Sequence, residues 1–94
     1  MRPFCGKCAR KHIAQAIILL NEARLGYPTH RWLAVGHLAE AEAEIDAKYP
    51  EIAQKIREER LKIIDSGDSD ELLGLIVEIS DLADKNQDNC DYWR

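Results

Sequence analysis

Apolar side chains recur at intervals of three and four along most of the chain, and no stretch alternates with a period of two for long enough to form a strand. Over residues 8–25, Ile13, Ala16, Ile17, Leu20 and Ala23 mark one broad face, which Ile18 and Leu19 widen, so this helix is expected to be covered on two sides. Gly26-Tyr27-Pro28-Thr29 ends it, because glycine tolerates positive φ and the residue before proline avoids the α region. Thr29 is the expected N-cap of a second helix over about residues 30–48. There Trp32, Val35, Leu38, Ala39, Ala41 and Ile45 read as the packed side and Glu40, Glu42 and Glu44 as the solvated one. Small residues at Ala34, Gly36, Ala39, Ala41 and Ala43 let a neighbouring helix approach closely.

Tyr49-Pro50 separates this from a third helix over about 50–65, in which Ile52, Ala53, Ile56, Ile63 and Ile64 are expected to be buried. Its Lys55, Arg57, Glu58, Glu59, Arg60 and Lys62 form the expected solvated face. After Ser66-Gly67-Asp68-Ser69, where Asp68 and Glu71 have the spacing of a capping box, a fourth helix over about 69–85 carries Leu72, Leu73, Leu75, Ile76, Ile79, Leu82 and Ala83 at helical intervals. The expected fold is all-α, a small antiparallel bundle of about four helices with a helical hairpin at its N-terminus.

Length and composition narrow this further. Ninety-four residues suffice for one helical domain, with residues 86–94 as a tail whose Tyr92 and Trp93 would bury a large area if docked. A composition 46% hydrophobic and 32% charged argues against disorder, and so much apolar surface on a short chain makes a homodimer or another protein partner an expected cover. The longest strongly apolar run, Ala16-Ile17-Ile18-Leu19-Leu20, is too short for a bilayer, and the first four residues lack a signal-peptide core. The expectation is a cytoplasmic protein without a membrane role, whose three cysteines are thiols or metal ligands.

The net charge of −4 hides a split: six Lys or Arg against one acid up to Trp32, then seven against sixteen. The simplest use of it is internal pairing of a basic first helix with acidic ones. Arg10, Lys11, Arg24, Arg31 and Trp32 are the side chains that could hold an anion. No basic block interleaves with aromatics and the pI is about 5.3, so nucleic acid or a small anion is not the leading partner.

The chemistry concentrates at Cys5-Gly6-Lys7-Cys8-Ala9-Arg10-Lys11-His12. Zinc takes thiolate and imidazole ligands, C-x-x-C supplies two from one turn, and His12 lies one helical turn beyond Cys8, so Cys5, Cys8 and His12 are three expected ligands. Cys90 and Glu44 are the candidates for a fourth. With the hairpin centred near Tyr27 and Pro28, Glu44 stands level with Lys11 and His12, whereas His37 faces Ile18, ~15 Å along the axis from Cys8 and out of reach. His30, His37 and Glu44, seven apart, form a polar stripe on the second helix, in which His37 with Glu40 or Glu44 could be a base and its orienter. No nucleophile stands level with His37 and no phosphate loop exists, so catalysis is not the expected role. The same two thiols at a helix N-terminus also fit a redox pair, with Cys5 the exposed nucleophile and Cys8 the resolving thiol, although a thioredoxin-like protein expects strands.

Cys5-x-x-Cys8-Ala9-Arg10-Lys11-His12 followed by Gly26-Tyr27-Pro28-x-His30-Arg31-Trp32-Leu33-Ala34-x-Gly36-His37-Leu38 resembles a group of small bacterial, archaeal and phage proteins for which no activity is established. The resemblance runs from Cys5 to Glu42 and implies that these cysteines and histidines belong to a recurring module. The expected function is a small intracellular binding or interaction module stabilised by zinc. The alternatives are thiol–disulfide exchange and the sequestering of an anion or nucleic acid.

Overall fold

The computed structural model describes residues 4–85. It contains four helices: α1 (Gly6–Arg24), α2 (His30–Ile45), α3 (Pro50–Ser66) and α4 (Leu72–Lys85). They form an antiparallel all-α bundle in which α2 packs between α1 and α3, while α1 also packs on α4. No helix among the described residues is long and apolar enough to cross a membrane. Cys90 and the aromatic pair after it lie outside the described residues.

The core is built on one spacing used twice. Ala9, Ile13, Ala16 and Leu20 on α1, and Ala34, Leu38, Ala41 and Ile45 on α2, each step by four, three and four. That places each set on a single helix face, and the alternation of alanine with large aliphatics lets the two backbones come close. Ile52, Ala53, Ile56 and Ile63 complete the core from α3, and Leu72, Leu75, Ile79 and Ala83 from α4.

Several surface expectations give way because α2 is covered on both flanks. Glu42 and Glu44, expected in solvent, are 8% and 1% exposed, while Trp32, expected in the core, is half exposed. Glu42 accepts hydrogen bonds from Arg57 Nε at 3.0 Å and lies 3.2 Å from Arg60 Nη1, so this acid pairs with α3. Its partner Arg57 holds its proton more tightly than usual, first because of that hydrogen bond and then through the carboxylate charge. Glu59, also expected on the surface, is buried, where it accepts from Ser69 Oγ at 2.7 Å and from Lys62 Nζ at 3.0 Å. Ile64 and Leu73 conversely face outward.

The turns decide how the helices align. α1 ends with Tyr27 N–H donating to the Glu22 carbonyl at 3.1 Å and Gly26 N–H to Ala23 at 3.4 Å, the bonding pattern of a Schellman motif, with Gly26 at φ +121°. The chain is thereby folded back beside its own last turn, and His30 Nδ1 meets Glu22 Oε1 at 2.9 Å. Thr29 occupies the N-cap position of α2 but lies in the αR region and makes no side-chain cap. The Asp68–Glu71 capping box does not form either. Asp68 accepts from Ser69 N–H, Glu71 N–H meets Ser69 Oγ, and α4 starts only at Leu72.

Asp68 has another task, which is to tie the α3–α4 turn to α1. Arg24 Nε donates to Asp68 Oδ2 at 3.2 Å and Arg24 Nη2 to Oδ1. The Arg24 bonds, more than the Ser69 N–H, hold the Asp68 carboxyl below its ordinary 3.8. A carboxyl with a lowered native pKa contributes its stability in full above the ordinary value and loses it as pH falls through the lowered one. Asp68→Asn is therefore expected to cost below about 1 kcal/mol at neutral pH, since both partners are half exposed, and to cost nothing at the acid end. Urea melts of both proteins at neutral and acid pH measure the convergence.

Candidate metal centre

The N-terminal arm is pinned across the end of the hairpin. Cys5 N–H donates to the Glu44 carbonyl at 3.0 Å, and the Phe4 ring meets Tyr49 edge to face at 5.4 Å. Cys5 is the N-cap of α1, its Sγ accepting the Cys8 N–H at 3.2 Å. A sulfur there sits at the positive end of the helix dipole, which favours thiolate when the pair is reduced. Cys5 and Cys8 are joined as a disulfide and are 1% and 0% exposed. Cys5 is thus not the exposed nucleophile expected, because capping turns its sulfur inward beneath the hairpin end.

Three donor atoms, Cys5 Sγ, Cys8 Sγ and a Glu44 carboxylate oxygen, lie within 4.8 Å of one another, and all three residues are buried. A ring nitrogen of His12 forms a second set of the same width with carboxylate oxygens of Glu40 and Glu44. Glu44 belongs to both. The expected ligand trio is therefore divided: its two sulfurs converge with Glu44, and His12 stands in the adjoining set.

His37 joins this region, contrary to the expected register. Its Nδ1 is 2.9 Å from His12 Nδ1, with ring centroids 5.2 Å apart. A hairpin centred on Tyr27 would have put His37 opposite Ile18. The Schellman turn sends the chain back along α1, so His30 meets Glu22, His37 meets His12 and Glu44 meets Cys5. The sequence carries a signal for this that spacing alone exposes. Cys5, Cys8 and His12 step by three and four, as do His37, Glu40 and Glu44. Each of these positions except Cys5 directly precedes a core residue (Ala9, Ile13, Leu38, Ala41, Ile45), so the donors run along one edge of the α1–α2 core stripe. Helical side chains also lean toward their own N-terminus, which carries the Glu44 carboxylate back toward Glu40 and lets it serve both sets. Glu40 is the residue that composition and spacing did not place among the ligands.

The remaining polar expectations fall elsewhere. His30 sits at the hairpin end against Glu22 and stacks on Tyr27, away from His37, so the stripe of His30, His37 and Glu44 does not act as one unit. The five anion-binding side chains separate too. Arg10 donates to Ser80 Oγ on α4, ~20 Å along α1 from Arg24, and Lys11 is beside it. Arg24, Arg31 and Trp32 do share a groove of about 330 Å³ with Pro28 and Gly67, where the Arg31 guanidinium lies 4.5 Å over the Trp32 ring. Arg24 there is neutralised by Asp68.

No protein-family model, curated protein or solved structure matches this chain.

Proposed function

We propose that the protein is a small intracellular binding module whose N-terminal turn is held by a zinc ion on Cys5, Cys8 and Glu44, with water as the fourth ligand. The observation that carries this is the meeting of two sulfurs and one carboxylate oxygen within 4.8 Å inside a buried corner. Thiolates and a carboxylate are donor types that zinc takes, and here they exceed the charge of a single divalent ion by one. Zinc would fasten the arm at Cys5 to α1 and α2 at once and so add folding free energy. The ion binds the dithiol form, and the Cys5–Cys8 disulfide closes the centre by using both sulfurs.

The test is the metal content of protein purified under reducing conditions. At least one zinc per chain is expected, and Cys8→Ser is expected to lower the content by one. A reduced, zinc-free protein that takes up none when zinc is supplied would sink the proposal.

A second reading rests on the disulfide itself: Cys5 and Cys8 cycle between dithiol and disulfide as a redox pair. Exchange requires an attacking sulfur to reach one of the pair, and both are buried, which favours the metal reading. A metal-free reduced protein whose disulfide reforms reversibly with a small-molecule disulfide would reverse that preference.

A further inference from the structure

We propose that His12, His37, Glu40 and Glu44 form a second metal site, for a divalent first-row transition ion, next to the thiolate centre and sharing the Glu44 carboxylate with it.

The argument begins with the two imidazoles. At 2.9 Å the two Nδ1 atoms share a single proton, one ring donating and the other accepting, because two N–H groups aimed at each other would collide. Two ring nitrogens that converge in this way are also placed as two ligands of one ion would be. Two ligands of one tetrahedral ion, with bonds of about 2.0–2.1 Å, stand about 3.3 Å apart, so the rings need to part by only a few tenths of an ångström.

The carboxylates come from α2. Carboxylate oxygens of Glu40 and Glu44 lie with a ring nitrogen of His12 inside 4.8 Å, and His37 adjoins that set through its 2.9 Å contact with His12 Nδ1. His37, Glu40 and Glu44 share one face of α2 by their spacing, and His12 faces them from α1, so the four donors come from two rigid helices rather than from a loop. Two imidazoles and two carboxylates make a neutral site with a divalent ion and suit zinc, iron(II), manganese(II), cobalt(II) or nickel(II).

Sharing Glu44 gives the pair of sites its character. A carboxylate can bridge two ions about 3.5–4 Å apart, the arrangement of many two-metal centres. Here one ion would have sulfur ligands and the other nitrogen and oxygen. The second site does not need the thiolates: the disulfide uses the two sulfurs and none of the four donors proposed here. Oxidation of the cysteines would therefore empty one position and keep the other.

That independence allows a clean test on the full chain, free of any histidine tag. The disulfide form is titrated with cobalt(II) and with zinc by calorimetry, and the reduced form with cobalt(II) while the thiolate-to-cobalt charge-transfer band is followed. One ion per chain is expected in the disulfide form and two in the reduced form. His37→Gln is expected to weaken the ion bound by the disulfide form at least about tenfold while leaving the charge-transfer band of the reduced form in place. Glu40→Gln is the second variant, and circular dichroism checks that each is folded. A disulfide form that binds no ion, or binds one unaffected by either variant, overturns the proposal. So does a reduced protein with one ion whose band vanishes in His37→Gln, because His37 then belongs to a single mixed site. A reduced wild type without the band rejects the thiolate centre, yet the ion count of the disulfide form still decides this one.

Discussion

Zinc added to the reduced protein at about a hundredfold over its dissociation constant is expected to raise the melting temperature by about 10–20 °C. The size follows from linkage. An ion that binds only the folded chain at that excess adds about 2.7 kcal/mol, and a domain of this length gains about 4–8 °C per kcal/mol. The rise should shrink as pH falls, since protons compete with the metal for sulfur. A chelator should reverse it. Cys8→Ser is expected to remove at least half of it, leaving what an ion on the imidazoles and carboxylates contributes. Thermal melts by circular dichroism, with and without zinc, supply the numbers. A melting temperature that ignores zinc, or rises equally in Cys8→Ser, would end the case for a thiolate centre.

Leu38→Ala is the second large effect, with an expected loss of about 2–5 kcal/mol. Leu38 is fully buried at the middle of α2, the helix packed between α1 and α3. Truncating it removes apolar contacts and leaves a cavity that two rigid neighbours cannot close. Against a total of about 5–15 kcal/mol for a domain of this class, that is a large share. Leu33→Ala is the control, since Leu33 is 54% exposed and its loss should stay within about 0.5 kcal/mol. Urea denaturation should show the midpoint moving for Leu38→Ala at unchanged slope. Equal midpoints for the two variants would mean that Leu38 is not packed between α1 and α3.

How far the site could be read in advance depended on the kind of information each part needs. The helices are local: Pro50 at the first turn of α3 and Gly26 and Gly67 at helix ends act through backbone preferences that neighbours along the chain already express. The placing of Cys5 beside Cys8 is local too, since three residues and one N-cap bring the sulfurs together. Glu44 was within view as a fourth ligand because its level on the hairpin falls near the N-terminus for any short turn. His37 was not, because a six-residue change in register separates the rejected position, opposite Ile18, from the observed one, opposite His12. Glu42 and Glu59 escaped for a related reason. A carboxylate between alanines, as Glu42 is, or within a charged run, as Glu59 is, reads as solvated until arginines of another helix or a serine of the next turn cover it.

The hydrophobic periodicity, the breakers and the C-x-x-C turn determined by themselves that the described residues make four helices and set two sulfurs at the head of the first. Only the tertiary structure decided that α1 and α2 are the inner helices, which acids are buried, and that His12 meets His37 while Glu44 spans two sets of donors. The reason is physical: helix formation depends on contacts three and four residues apart, whereas the alignment of one helix against the next is selected by how the Gly26 turn bends and how two alanine-and-aliphatic stripes interlock, and both are settled only when the pieces pack.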